Sequence, residues 1–142
     1  MRLAPGGRVI VNVPNFASWQ SRFAGAKWLH LDVPRHLVHF SPGSLATAFA
    51  AAGLKLCRLG YASFEHDPYG WVESALNRIT GRPNTLTRFL MGMQPFGARV
   101  AISMVAGAIL TPLAFALSVL SWAFRRGALL EATASLHSEK TR

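Results

Sequence analysis

An internal disulfide is excluded at once, because the 142 residues contain a single cysteine, Cys57. A thiolate metal cluster is excluded with it. Acidic residues are scarce: six Asp and Glu stand against fifteen Lys and Arg, for a net charge of +9. No acid occurs between Ser74 and Leu130, whereas six arginines do. Charge of either sign is missing from Val100–Phe124. The opening MRLAPGG lacks the apolar core of a signal peptide, so secretion is not expected. No internal repeat or low-complexity tract is present. What remains is one domain's length of chain, 51% hydrophobic, with a mean hydropathy of +0.25. A basic chain of this kind suits an anionic partner, a lipid surface or a nucleic acid. The arginines gather around apolar sequence rather than on an aromatic platform, and this disfavours nucleic acid.

The most informative stretch is Trp28–Leu45, WLHLDVPRHLVHFSPGSL. It gathers His30, His36, His39, Asp32 and Arg35 without a helical or alternating period, as binding segments held between regular elements often do. Before it, Leu3–Gly7 reads as a turn and Arg8–Val13 (RVIVNV) as a short β-branched strand. Its nearly unbroken apolar character predicts burial on both faces of a parallel sheet. Asn15 follows, beyond the strand's carboxyl end, where open α/β sheets bind ligands. It is equally well read as a turn residue. Phe16–Ala26 predicts a short helix with Phe16, Trp19 and Phe23 as a core stripe. Pro34 forbids a continuous helix through the central stretch. Ser41 and Pro42 start a helix that runs to about Ala52, with Leu45, Ala48, Phe49 and Ala52 on one face and Gly53 as its stop.

Leu54–Phe64 predicts a second strand, Glu65–Tyr69 a polar turn, and Gly70–Thr80 and Asn84–Met93 two short helices. On the first of these, Trp71, Val72, Ala75, Leu76 and Ile79 form the apolar face, with Glu73, Asn77 and Arg78 elsewhere. Ala128–Leu136 predicts a final strand, and Ser138–Arg142 a frayed tail.

These pieces, in this order, resemble the C-terminal half of a class I S-adenosylmethionine-dependent methyltransferase. LAPGGRVIVNVPN resembles the approach to the fifth strand and the strand itself. HLDVPRHLVHFSPGSL resembles the loop and helix start that follow in one bacterial subgroup, ASFEHDPYGWVESALNR the part after its sixth strand, and RRGALLEATASLH its closing seventh strand. The resemblance implies a partial Rossmann-like α/β fold. Residues 1–73 would form the C-terminal part of the α/β domain, 74–127 a membrane-associating helical insertion, and 128–142 the final strand and tail. It also implies S-adenosylmethionine as the methyl donor, although the Gly-rich turn and the ribose-binding acid of the family's N-terminal half have no counterpart here. The chain thus reads as a fragment, or as starting internally. The missing half would come from elsewhere, and an exposed sheet edge is expected.

Methyl transfer to a hydroxyl needs alignment and a proton acceptor, for which histidine is suited near neutral pH. His36 and His39 are the catalytic candidates. Asn15, Trp28, His30, Asp32 and Arg35 are candidates for binding a small or lipid-like acceptor. The competing structural reading has His36 and His39 capping the next helix or satisfying buried carbonyls. No short zinc motif fits His30, Asp32, His36 and His39, so no metal is assigned. His66 reads as a surface turn residue and Cys57 as an inert core thiol.

Val100–Phe124 is long enough to cross a bilayer, which takes about 20 residues. One span would separate Ala128–Leu136 from the sheet it should complete. Thr111 and Pro112 offer a break, with Pro112 opening a second helix. The expectation is therefore a hydrophobic helical hairpin docked on an anionic membrane, at the cytoplasmic side of the cell membrane. The alternative is a small, non-enzymatic interaction protein anchored by one transmembrane helix.

Overall fold

The computed structural model describes residues 3–4 and 6–136. The tail predicted over 138–142, and Pro5 of the opening turn, lie outside the described residues. The fold is mixed α/β. Three strands, β1 (Arg8–Pro14), β2 (Leu54–Gly60) and β3 (Leu129–Leu136), form one sheet in the order β1-β3-β2. The last strand in the chain is therefore central. It runs antiparallel to both neighbours. β1 and β2 point the same way across it and are joined through α2 (Pro42–Ala51).

One face of this sheet holds the core. Leu130, Ala132 and Ala134 are fully buried, and β1 sets Val13, Val11 and Val9 directly opposite them. Leu45 and Phe49 of α2 cover the layer. Burying a side chain such as Leu130 contributes roughly 1.5–3 kcal/mol. On β2 the register slips between Leu56 and Arg58, so that Cys57 has no partner on β3. This bulge returns Leu59 to the face that carries Leu54 and Leu56. Cys57 is consequently exposed at the bulge, beside Ser135 Oγ at 3.2 Å, and is not the core thiol expected.

β1 is not buried on both faces. Its neighbour is antiparallel, its burial alternates, and Ile10 is 68% exposed. The apolar run misled because Ile10 faces the uncovered side. The far edges of β1 and β2 carry no strand partner among the described residues.

The helical starts follow local chemistry. Ser41 caps α2 in a reciprocal capping box with Ser44, and Pro42 opens the first turn. On its face Leu45 and Phe49 are buried, while Ala48 and Ala52 are exposed. α1 (Trp19–Ala24) is capped by Ser18, whose Oγ accepts from Ser21 N at 3.0 Å. The expected Phe16–Trp19–Phe23 core stripe is corrected: Phe16 and Phe23 are exposed, and Gln20, Ser21 and Ala24 are buried instead. The apolar spacing was right for a helix, but the polar side of α1 faces the next helix.

That helix, α3 (His66–Thr80), begins inside the segment predicted as a turn. Trp71, Val72 and Leu76 are buried as expected, but Ile79 is 76% exposed. Glu73 and Asn77, placed away from the packed face by the sequence pattern, are buried. Glu73 Oε1 accepts from Leu86 N at 3.0 Å, capping the short α4 (Thr85–Leu90), while Asn77 bonds Asn84 and the Lys27 carbonyl.

The largest correction concerns the apolar run. No hairpin forms. Ala98–Ala123 is one continuous helix, α5, with Pro112 inside it. At 26 residues it is about 39 Å long. Beyond Val100, small or polar residues make its inner stripe: Ser103, Gly107, Ala114, Ser118 and Ser121. Gly107 lets α5 approach α3 and α4, since a Cβ there would lie 3.3 Å from Val72 Cγ1. Large apolar residues, including Ile102, Val105, Ile109 and Leu113, point outward. The most apolar 18-residue window has a mean hydropathy of 2.2 and is only 22% buried.

Candidate functional site

The central stretch folds against the ends of the strands. Trp28 anchors it, packed with Ala24 and Ala128 and donating from Nε1 to Gln20 Oε1 at 3.4 Å. Leu29 N donates to Ser74 Oγ at 3.0 Å, which ties a tight turn over Leu29–Leu31 to α3. Asp32 then adopts a left-handed conformation with φ 32°, which Asp tolerates better than most residues. The chain doubles back and rejoins β1 through a parallel bridge between Asn15 and Phe40.

Two histidine rings hold this fold. His36 Nδ1 lies 3.1 Å from the His30 carbonyl oxygen, and His39 Nε2 lies 3.0 Å from the Leu31 carbonyl oxygen. A carbonyl only accepts, so each of these nitrogens carries the proton. In a neutral ring the other nitrogen is then a lone pair. For His36 that is Nε2. His39 stacks against Phe16, with centroids 5.7 Å apart.

His30 sits deeper. Its Nε2 is buried without a hydrogen-bond partner among the described residues. Burial, reinforced by His66 and His36 and opposed by Asp32, lowers its pKa to about 4. Glycine at position 70 gives α3 room to pass it: a Cβ there would lie 3.0 Å from His30 Nε2.

The other sequence candidates are placed as follows. Asn15 is fully buried, with Nδ2 donating to the Gly127 carbonyl at 2.9 Å and Oδ1 accepting from Ala17 N at 3.0 Å. Both its polar groups serve the backbone, which joins the end of β1 to the entry of β3. Arg35 is largely exposed and pairs with Asp32 at 3.7 Å. Such an exposed pair contributes little to stability.

Two cavities meet at these residues. One, of about 410 Å³, opens where β1 ends, beyond β2 and at the start of β3, with Asn12, Glu65 and Glu131 in its wall. The other, of about 520 Å³, lies between the loop and α4 and includes Asp32, Arg35, Tyr69 and Arg88. His30, His36 and His66 line both. The loop histidines are thus brought to the carboxyl ends of β1 and β2, while His39 lines neither cavity. His66 is exposed, as expected, yet belongs to this wall, its Nδ1 3.1 Å from Ser63 Oγ. Sequence reasoning also missed Tyr69, whose hydroxyl meets Thr87 Oγ1 at 2.7 Å and whose pKa burial raises. The one available signal was the density of titratable and aromatic groups in EHDPY.

A third, apolar cavity of about 420 Å³ between α3, α4 and α5 reaches the site beside Tyr69. Among the described residues no group of three or more His, Cys, Asp or Glu is disposed to hold a metal ion. The residues do not fit S-adenosylmethionine: no glycine-rich turn follows a strand, and the glycines before β1 close a turn in which Gly7 N donates to the Ala4 carbonyl at 2.8 Å. No known protein family, curated protein or solved structure matches this chain.

Proposed function

We propose that this chain is the acceptor side of an S-adenosylmethionine-dependent methyltransferase with a partial Rossmann-like sheet, acting on a small or lipid-like hydroxyl compound. The observation that carries the reading is His36: its Nδ1 is committed to the His30 carbonyl, and its ring lines both cavities beyond the strand ends. His36 Nε2 takes the acceptor's hydroxyl proton. Arg35 and Asp32 orient polar groups of the acceptor in the larger cavity. The sheet supports the reading too, because the segments that resemble the family's fifth and seventh strands pair with each other, and the strand between them in sequence joins the same sheet. The donor would be held by residues that this chain does not contain.

The apolar cavity beside Tyr69 gives a lipid-like acceptor room for its tail. α5 supports the same location. Its outward apolar face, with Arg99 before it and Arg125 and Arg126 after it, suits an anionic leaflet. Because α5 leads within a few residues into the central strand, it lies along the cytoplasmic surface with its apolar side immersed. A second reading, a non-enzymatic protein anchored by one transmembrane helix, draws on the unbroken 26 residues of α5.

A transfer assay separates the two. The chain is expressed from its native genomic context, and tritiated methyl transfer from S-adenosylmethionine to a cell lipid extract is counted. Transfer is expected, with a loss of about 10²–10⁴-fold in His36→Gln. Equal transfer by the variant removes His36 from its role. No transfer by either favours the anchored, non-enzymatic reading, as would labelling of the two chain ends from opposite faces of a vesicle.

A further inference from the structure

A concave surface of about 610 Å³ lies where α4 turns into α5. Arg82, Arg88 and Arg99 line it. Among the described residues no carboxylate pairs with any of them, and their guanidinium groups make no hydrogen bond. None could do so locally, because residues 75–130 contain no acid. Three like charges around one depression repel each other in the absence of an anion. That arrangement, and not the end of a helix alone, is the starting point.

The floor of the depression adds donors. Gly97 precedes α5 without a capping side chain, and the first helical bond there is Ala101 N to Gly97 O. The N–H groups of Ala98, Arg99 and Val100 therefore have no acceptor within the helix. Gln94 closes one side, its Nε2 held by the Thr85 carbonyl at 2.7 Å. Apolar groups share the lining: Phe96 is exposed there, with Pro83 and Pro95 beside it. Guanidinium groups and unpaired N–H groups match the oxygens of a phosphate. Apolar groups beside them match what a phosphate carries when it belongs to a lipid.

We infer that Arg82, Arg88 and Arg99 form a binding site for a phosphate group, and that its source is the headgroup of an anionic phospholipid. The lipid source rests on the membrane-facing reading of α5; the phosphate chemistry does not. Arg88 and Pro83 also line the histidine cavity, so a lipid held here lies next to the proposed acceptor site.

The test is flotation of the full chain with vesicles of neutral phosphatidylcholine alone or with three-tenths phosphatidylglycerol. Three variants are compared with the wild type: R82Q/R88Q/R99Q; R8Q/K55Q/R58Q, which removes the same charge from the exposed strands; and the corresponding Lys triple at 82, 88 and 99. Circular dichroism verifies that each is folded. The site predicts about a hundredfold weaker binding to anionic vesicles for the first variant, taking each basic residue as about fivefold. The strand variant should lose markedly less, and the Lys triple should recover part. Equal losses in the first two variants overturn the site and leave only diffuse charge. Equal binding of the wild type to both vesicle types overturns it while leaving the membrane reading intact. If the wild type binds no vesicle, the membrane reading fails, and titration with inorganic phosphate decides: binding lost in R82Q/R88Q/R99Q moves the source to a soluble phosphate, and no binding overturns the site.

Discussion

His36 donates from Nδ1 to the backbone carbonyl of His30 across 3.1 Å, so one side chain of the loop fixes the turn that presents another. The bond also selects the tautomer. In the neutral protein, nitrogen chemical shifts should show His36 protonated at Nδ1 and bare at Nε2, and His39 the reverse, because His39 uses Nε2 on Leu31. A His36 ring protonated at Nε2 and bare at Nδ1 would falsify its assignment as the proton acceptor.

His30 and Asp67 should oppose each other in acid. The Trp122 indole N–H donates to Asp67 Oδ2, yet burial outweighs this bond and raises the Asp67 pKa to about 6. His30 is lowered to about 4. Between pH 4 and 6 the folded state holds more protons at Asp67 than the unfolded chain does, so ionising Asp67 lowers stability as pH rises. At His30 the folded state holds fewer protons from pH 4 to 6.5, so stability rises with pH. Each effect is on the order of 3 kcal/mol across its window, and in the wild type they largely cancel. Denaturant melts at pH 4 and 6 should show Asp67→Asn gaining stability with pH relative to wild type, and His30→Gln losing it. Parallel pH profiles for all three proteins would refute the pairing.

Gly70→Ala offers a mechanical check on the same cluster. The new Cβ would lie 2.5 Å from Gln20 Oε1 and 3.0 Å from His30 Nε2. Gln20 cannot swing aside easily, since Nε2 donates to the Asp67 carbonyl at 2.7 Å and Oε1 accepts from Trp28. Overpacking of this kind costs about 1–3 kcal/mol, and better helix propensity returns up to about 1. A net loss of about 1–2 kcal/mol in urea melts is expected. A stabilised variant would mean that α3 does not run against the loop in this way.

The local signals were legible and the long-range ones were not. Ser41, Pro42 and Gly53 mark α2 because capping is chemistry between neighbours. RVIVNV and the last strand were readable from β-branched and apolar runs, but which strand lies in the middle depends on pairings between residues far apart in the chain. The histidines of the loop stood out by type. Their companions His66, Tyr69 and Glu131 did not, because only folding brings them to the same cavities. Glu73 looked like a surface residue, since a carboxylate that caps a helix 13 residues away leaves no mark on periodicity.

Pro112 is where a local rule gave the wrong answer. Thr111-Pro112 matches a helix start, yet the start exists only if the preceding helix has ended. Here Thr111 Oγ1 bonds the Gly107 carbonyl at 2.8 Å, so the threonine serves the helix it sits in. Contacts with α3 and α4 on both sides of the proline then carry α5 through. Proline inside a helix lacks one N–H and crowds the carbonyl four residues back, at a cost of up to about 3 kcal/mol. Pro112→Ala should therefore stabilise the chain by about 1–3 kcal/mol in reversible denaturation, with unchanged helix content by circular dichroism. A rise in helix content, or a variant less stable than wild type, would show that Pro112 ends one helix and begins another, and would restore the hairpin.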